Sequence, residues 1–127
     1  MVIGVGVDVI SVGRVQSMLK RRGSHVVARL FSPGEVAEAG TGVTAYERFA
    51  ARWAAKEAVL KSLGSGLWQV PLRDITIARG LDGRPVVTLS GKAQARADSL
   101  GVTTVMVSMS HEHEYAVAFA VAIKGGD

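Results

Sequence analysis

The chain has 127 residues, a typical length for one domain, and its lack of cysteine excludes a disulfide scaffold, a thiol nucleophile and a zinc finger. Fifteen Lys and Arg against eleven Asp and Glu give a net charge of +4, which favours an anionic partner. A hydrophobic content of 48% and a mean hydropathy of +0.26 argue against disorder and indicate that other subunits cover part of the apolar surface.

The first part of the sequence predicts a strand followed by a helix. Val2–Ile10 is rich in β-branched residues and indicates a buried strand. Ser11 can cap a helix that continues to Arg22, where Gly23 ends it.

Two capping boxes predict the next helices. Ser32-Pro33-Gly34-Glu35 begins a short helix and carries proline at its first position. Thr44-Ala45-Tyr46-Glu47 begins the longest helix of the chain, which extends to Leu63 and ends at Gly64.

The second half of the chain predicts four strands and one modest helix. The strands are Asp74–Arg79, Pro85–Leu89, Val102–Ser110 and Tyr115–Ile123. A hairpin turn containing Asp82-Gly83 joins the first two, and His111–Glu114 joins the last two. Ser90 caps a helix that ends near Leu100. Residues 1–127 are therefore expected to form a single α+β domain, with a mainly antiparallel sheet packed on one long helix.

Asp8 is a carboxylate that follows Gly4-Val5-Gly6 within the apolar first strand. The pattern lacks the third glycine of a dinucleotide-binding fingerprint, since position 9 is valine. From this segment alone, Asp8 is equally consistent with a turn or cap residue and with a ligand.

The longest helix carries the most informative spacing. Phe49, Trp53 and Leu60 lie within about 40° of one another around the helix axis and predict its buried stripe. Glu57 lies about 60° from the middle of that stripe, and Lys61 follows four residues later. The two are either an ordinary pair on the helix surface, which is the commoner case, or a half-buried carboxylate that awaits a cation.

A basic row on the same helix contains Arg48, Arg52 and Lys56. A solvated face explains this row simply, although three cations in line would also bind phosphates. Further along the chain, His111 and His113 alternate with glutamates, but no third ligand is spaced to close a metal site, so a polar turn is expected. No Gly-x-Ser-x-Gly elbow surrounds the serines before His111, which excludes a serine hydrolase.

Five segments, spread over nearly the whole chain, carry a resemblance to a known family. They are Gly6-Val7-Asp8 with Arg14, Phe31-Ser32-Pro33-Gly34-Glu35, the helical segment Arg48–Lys61, Gly83-Arg84-Pro85, and Val107–His111 followed by Tyr115-Ala116-Val117-Ala118. In this order they resemble the holo-acyl-carrier-protein synthases, the small phosphopantetheinyl transferases of fatty-acid and polyketide synthesis.

The resemblance implies a 4′-phosphopantetheinyl-transferase fold and a role in fatty-acid biosynthesis or related lipid metabolism. Such an enzyme transfers 4′-phosphopantetheine from coenzyme A, its co-substrate, to a serine of an apo acyl carrier protein and releases 3′,5′-ADP. Asp8 and Glu57 match the family's two ligands of Mg²⁺, an ion that takes few protein carboxylates. Lys61 matches the lysine that stabilises or protonates the leaving group. A water on the metal and Glu112 are both candidates for the base that deprotonates the serine.

The resemblance also implies further contacts and an oligomer. Arg52 and His111 match contacts to the phosphates of coenzyme A, and Gly83-Arg84-Pro85 matches part of the nucleotide wall. Members of the family are homotrimers whose active sites lie between neighbouring subunits.

The predicted first helix carries a basic face. Arg14, Met18, Arg21 and Arg22 can share this face by their three- and four-residue offsets. The carriers that this family serves present an acidic helix beside the modified serine, so the face is a candidate for carrier recognition. The other interpretation is a solvated basic surface.

Two other functions fit the composition. The first is a small basic nucleic-acid-binding domain, against which the chain has only two Trp, two Tyr and three Phe, with Phe49 and Trp53 assigned to the helix core. The second is a non-catalytic oligomeric interaction module, in which Asp8 and Glu57 would be structural carboxylates.

No segment resembles an export signal or a transmembrane helix. Met1–Ile10 carries Asp8 and has no leading basic residue, and the apolar run Tyr115–Ile123 is nine residues long. We therefore expect a cytoplasmic protein that binds neither a membrane nor nucleic acid.

Overall fold

The computed structural model describes residues 1–65 and 69–126 and shows the expected α+β fold. The helices within these ranges are Val12–Arg22 (α1), Ser24–Leu30 (α2), Pro33–Ala39 (α3), Ala45–Ser62 (α4) and Gly91–Leu100 (α5). The strands are Val2–Ser11 (β1), Ile75–Arg79 (β2), Pro85–Leu89 (β3), Thr104–His111 (β4) and Tyr115–Ile123 (β5), and a 3₁₀ turn at Leu72–Asp74 precedes β2. The sequence did not predict α2, and His111 ends a strand instead of beginning a turn.

The strands form two antiparallel sheets, which confirms the predicted pairing mode. One sheet has the order β1-β5-β4 and the other is the β2-β3 hairpin. The middle strand, β5, carries a row of buried alanines on the face toward α4, at positions Ala116, Ala118, Ala120 and Ala122. These small side chains let the helix lie close to the sheet.

The long helix α4 lies at the centre of the fold. Twelve of its 18 residues are buried, so the predicted single buried stripe is wrong. The helix is rich in alanine and packs against the sheet on one side and against α1, α3 and β2 on others. Trp53, predicted to lie in the stripe, is only partly buried. None of the described helices is long and apolar enough to cross a membrane.

Strand β1 crosses α4 at two glycines. A Cβ atom at Gly6 would lie 2.0 Å from the carbonyl oxygen of Ala58, and one at Gly4 would lie 2.0 Å from that of Ser62. Any side chain at either position would therefore push the strand away from the helix. The close approach brings the next inward-facing residue of β1, Asp8, beside α4.

The opposite face of the larger sheet is apolar and exposed. The sequence predicts that β1 is buried, but only its face toward α4 is covered. The exposed side chains on the other face, here called the outer sheet face, are Val5, Val7, Val9, Met106, Val117 and Phe119, each 39–61% exposed. Val7 pairs with Phe119, so strands β1 and β5 contribute to one continuous surface. Such a surface indicates a contact with another molecule.

Capping signals that depend on neighbouring residues alone are confirmed. The Ser11 hydroxyl oxygen accepts a hydrogen bond from the N–H of Arg14 at 3.3 Å. The box of Ser32 and Glu35 makes both of its reciprocal bonds at the start of α3. These contacts span only three residues, so the sequence encodes them directly.

Two other predicted caps are wrong. Thr44 has helical backbone angles (φ −69°, ψ −17°) and its side chain makes no capping bond. Its partner in the predicted box, Glu47, contacts His111 instead. Ser90 also makes no side-chain cap for α5, because the Asp74 carboxylate accepts the N–H of the second helical residue at 2.8 Å.

The basic row on α4 is not a solvated face. Lys56 is fully buried, and its Nζ donates to Glu35 Oε1 at 2.8 Å, to the carbonyl oxygen of Leu72 at 3.2 Å and to that of Ile75. Glu35 Oε2 accepts the N–H of Ile77 at 2.9 Å. Burial lowers the pKa of Lys56, and the Glu35 carboxylate opposes that shift. The network ties α3 and β2 to α4.

We expect Lys56→Met to lower the free energy of unfolding by about 3–5 kcal/mol, because the Glu35 carboxylate would remain buried without its cation. Adding Glu35→Gln should recover part of the loss, since a neutral amide can still accept the N–H of Ile77. Urea unfolding of both variants beside the unsubstituted protein measures this. A double variant less stable than Lys56→Met alone would contradict the ion-pair account.

Candidate active site

Asp8 lies inside β1, opposite Ala118 of β5. It is therefore neither a turn nor a cap residue, and its role as a ligand stays a prediction. Its side chain is 14% exposed, and its Oδ1 atom lies 3.2 Å from Lys61 Nζ. The structure thus brings together a carboxylate and a cation that are 53 residues apart in the sequence.

Glu57 and Lys61 project from α4 toward the same part of β1. Lys61 Nζ donates to the carbonyl oxygen of Val7 at 2.9 Å as well as to Asp8, so it is anchored to the strand and is not an ordinary partner of Glu57 on the helix surface. Burial raises the pKa of Glu57, the negative charge of Asp8 raises it further, and Lys61 partly offsets both effects. Two carboxylates thus repel each other across the contact between β1 and α4.

This arrangement suits a hard cation. Two neighbouring carboxylates, one half-buried with a raised pKa, lose their mutual repulsion when a divalent ion lies between them. Within residues 1–65 and 69–126 no group of three or more His, Asp or Glu side chains could hold a metal. A two-carboxylate site fits Mg²⁺, which keeps its waters and takes phosphate oxygens from a substrate.

A recess of about 820 Å³ opens beside the two carboxylates. Its other wall comes from α1, through Arg14, Met18 and Arg21. Met18 is partly buried and packs against the core. Arg22 is exposed but does not line the recess. Three of the four residues predicted to contact a partner therefore lie on one wall, next to Asp8 and Glu57.

Arg52 is buried and bound to a carboxylate of the protein. Its Nη2 atom lies 2.5 Å from Glu38 Oε2, and its Nε atom is buried without a hydrogen-bond partner among the described residues. Partial desolvation of Glu38 acts to raise its pKa, but the bonds from Arg52 and from the N–H of Arg79 outweigh it and lower the pKa. The predicted phosphate contact of Arg52 would compete with this ion pair.

His111 ends β4, where the first turn of α4 approaches it. Its Nδ1 atom lies 3.3 Å from Glu47 Oε1, and Nδ1 of His113 lies 3.7 Å from Glu47 Oε2. Glu47 and Glu38, the partners of these predicted site residues, were not predicted from the sequence. No local signal reveals them, because 64 residues separate Glu47 from His111 and 14 separate Glu38 from Arg52.

Gly83, Arg84 and Pro85 form the end of the β2-β3 hairpin. Gly83 has a φ of 85°, which glycine adopts readily. Arg84 and Pro85 line a second recess, of about 670 Å³, between β3 and β4. In the described part of the chain, the recess beside Asp8 is lined by neither of them, nor by Arg52 or His111. One chain therefore keeps the carboxylates apart from the predicted contacts to the coenzyme.

The chain matches known proteins along nearly its whole length. The model of the 4′-phosphopantetheinyl transferase superfamily matches residues 4–120. The holo-[acyl-carrier-protein] synthase of Desulforudis audaxviator is 46% identical over 123 residues, which are 97% of this chain and 94% of the relative.

Solved structures give the same result. The holo-[acyl-carrier-protein] synthase from Neisseria meningitidis aligns with a TM-score of 0.86 and 31% identity over 98% of this chain and 100% of that chain. The Helicobacter pylori enzyme, solved in complex with coenzyme A, aligns with a TM-score of 0.82 and 27% identity over 94% and 99%. This chain belongs to the holo-[acyl-carrier-protein] synthases, within the 4′-phosphopantetheinyl transferase superfamily.

Proposed function

We propose that residues 1–127 act as one cytoplasmic phosphopantetheinyl transferase domain. Its reaction moves 4′-phosphopantetheine from coenzyme A to a serine of an apo acyl carrier protein, with Mg²⁺, and releases 3′,5′-ADP. The observation that carries this proposal is the cluster of Asp8, Glu57 and Lys61 at the edge of a recess whose other wall is basic. The relative solved with coenzyme A supports the same co-substrate for this chain.

Asp8 and Glu57 would hold the Mg²⁺ ion. The ion would neutralise the charge of the pyrophosphate of coenzyme A. The raised pKa of Glu57 supports this assignment, because two carboxylates that repel each other gain most from a shared cation. The same raised pKa means that protons compete with the ion as the pH falls through it.

Lys61 would stabilise the leaving group. Its Nζ donates to Asp8 and to the carbonyl oxygen of Val7, while the side chain remains 53% exposed. An ammonium group has three N–H donors, so one is left for a phosphate oxygen of 3′,5′-ADP. The oxygen of the carrier's serine would bond to the phosphorus of the phosphopantetheine group and its proton would pass to a base, while the bond from that phosphorus to the leaving oxygen of 3′,5′-ADP breaks.

The outer sheet face supports a homotrimer with shared active sites. In the chain alone, its valines and Phe119 are exposed to water. Asp8 lies in β1 between two of these valines, and His111 ends β4, the strand at the other edge of the same sheet. A neighbour that covers this face and extends past β1, an edge strand of the sheet, would bring its own His111 and Arg84 toward Asp8, which would complete a site that one chain leaves divided.

The basic wall of the recess would receive the carrier protein. Arg14 and Arg21 supply positive charge beside Asp8 and Glu57, and Met18 supplies an apolar contact between them. Charged groups would steer the encounter with an acidic helix, and the methionine would fix its position. Arg22 would add charge from outside the recess.

We expect Arg14→Glu to raise the KM for the carrier at least about tenfold, because it reverses the charge that faces an acidic partner. The KM for coenzyme A should change little. Arg29→Glu is a matched control, since Arg29 is also an exposed arginine but lies on α2. In the unsubstituted enzyme the carrier KM should rise with salt. An equal rise in the KM for the carrier and in the KM for coenzyme A would place Arg14 in the coenzyme pocket instead.

A nucleic-acid-binding function is not favoured. The basic row on α4 would suit phosphates, but Lys56 is fully buried and Arg52 is paired with Glu38. These cations are therefore committed to the protein, and the row presents no charged stripe to a phosphate backbone.

Product analysis after metal removal tests the proposed reaction. The protein is treated with a chelator, supplied with coenzyme A and apo carrier, and sampled by chromatography for 3′,5′-ADP before and after Mg²⁺ is added. The proposal requires that 3′,5′-ADP forms only with Mg²⁺ and in a one-to-one ratio with modified carrier. If equal amounts of 3′,5′-ADP form with and without Mg²⁺, the reaction does not need the metal.

A further inference from the structure

Glu47 joins α4 to the end of β4 through histidine. It lies in the first turn of α4, and its side chain is only 15% exposed. Oε1 lies 3.3 Å from Nδ1 of His111, whose side chain is 40% exposed. Oε2 lies 3.7 Å from Nδ1 of His113, which is 96% exposed.

Helix capping does not account for this placement. The predicted capping box would have turned Glu47 back toward the N–H of Thr44, but Thr44 is helical and makes no side-chain cap. A negative charge in the first turn does stabilise a helix through its dipole, although that effect needs no contact with a histidine. The side chain instead points across to another element.

The contact sets which nitrogen of His111 carries a proton. A carboxylate only accepts hydrogen bonds, so Nδ1 must be the protonated nitrogen of the bonded ring. Nε2 is then left for a ligand. His111 also lines a recess of about 300 Å³ with Ser110, Tyr115 and Ala116, and its side chain is partly exposed to solvent. When the ring takes a second proton, that proton binds to Nε2, which then becomes a charged hydrogen-bond donor.

We propose that Glu47 is a positioning residue, which holds the His111 ring through Nδ1 so that Nε2 is presented to a phosphate group of coenzyme A. The identity of this ligand rests on the proposed function. The hydrogen bond from His111 Nδ1 to Glu47 does not depend on the proposed function, because it is a property of the free protein. The competing role is a purely structural link between α4 and the turn after β4.

The tautomer of the His111 ring tests directly whether Glu47 holds it through Nδ1. Two-bond ¹⁵N–¹H correlation spectra of the free protein at a pH where the ring is neutral should show His111 with its proton on Nδ1. Glu47→Ala should move the proton to Nε2, and Glu47→Gln should retain Nδ1–H in part, because its amide oxygen still accepts. His113→Ala should leave His111 unchanged. The same His111 tautomer with and without the Glu47 side chain would overturn the proposal.

Steady-state kinetics test the role in binding. Glu47→Ala should raise the KM for coenzyme A about tenfold, as expected for one weakened hydrogen bond to a charged group. The value of kcat and the carrier KM should stay within about twofold, because the carboxylates and the basic wall are untouched. In a His111→Ala background, Glu47→Ala should add no further loss. Additive losses, or a fall in kcat with unchanged KM, would contradict positioning.

Dephospho-coenzyme A identifies which phosphate His111 meets. If the KM effect of Glu47→Ala disappears with this substrate, the ring meets the 3′-phosphate, and if it persists, the ring meets the pyrophosphate. Either result supports the proposal, whereas no KM effect with either substrate contradicts it. If the unsubstituted protein transfers nothing, the proposed function fails, and the spectra still decide whether Glu47 holds His111.

Discussion

Asp8→Asn and Glu57→Gln are each expected to lower kcat at least about 10³-fold, because each removes a carboxylate from a two-carboxylate cation site. The double variant should be scarcely worse than either single variant, since the loss of one ligand already disables the site. Lys61→Ala should cost less, because the ion still stabilises most of the charge of the leaving group. Rates measured at saturating coenzyme A and carrier give this comparison. If each single variant lowers kcat only modestly and the fold-losses multiply in the double variant, the two carboxylates act separately.

The stability of Glu57→Gln supplies the control for this result. The folded protein raises the pKa of Glu57, so folding favours its protonated form. That contribution is complete at low pH and is lost as the pH rises through the raised pKa. In chelator, Glu57→Gln should therefore be more stable than the unsubstituted protein at neutral pH, and the difference should shrink as the pH falls. A variant that is inactive yet more stable cannot owe its inactivity to unfolding.

Phe119→Glu is expected to prevent assembly and to lower activity at least about 100-fold, because it places a charge in the middle of the outer sheet face. Sedimentation at assay concentration should show a trimer for the unsubstituted protein and a monomer for the variant. Leu81→Glu is the matched control, since Leu81 is an exposed apolar residue in the β2-β3 turn. A fully active Phe119→Glu monomer would contradict a site shared between subunits.

Mixing the inactive Asp8→Asn variant with His111→Ala, whose affinity for coenzyme A is weakened, tests the shared site independently when coenzyme A is kept well below the raised KM of His111→Ala. Asp8→Asn subunits retain His111, and His111→Ala subunits retain Asp8. When the two kinds exchange into one oligomer, some boundaries join an intact Asp8 to an intact His111, so part of the activity should return. A mixture no more active than the average of its components, after exchange has been demonstrated, would place both residues in sites within one chain.

Local signals predicted the fold better than distant ones. Ser11 and the box of Ser32 and Glu35 cap their helices as predicted, because those bonds span three residues. Thr44 does not cap α4, because its own backbone is helical, and Glu47, its partner in the predicted box, contacts His111 in a distant strand. The periodicity of α4 predicted one buried stripe, which is wrong because alanines let neighbouring elements pack against the helix on several sides.

The candidate site depended on information that is not local. The spacing of Glu57 and Lys61 favoured an ordinary surface pair, and only the family resemblance linked them to Asp8. The structure supplies the physical reason for that link, because Gly4 and Gly6 let β1 lie directly on α4. Spacing could not reveal the ion pair of Arg52 with Glu38, because its members are 14 residues apart and lie on different helices.

The mass of the carrier protein shows directly whether the phosphopantetheine group is transferred to it. Apo acyl carrier protein is incubated with coenzyme A, Mg²⁺ and the enzyme, and its intact mass is measured beside a carrier whose acceptor serine is replaced by alanine. The unsubstituted carrier should gain the mass of one phosphopantetheine group, and the alanine carrier should gain nothing. If neither carrier gains mass under conditions where a known transferase modifies the first, the proposed transfer is wrong.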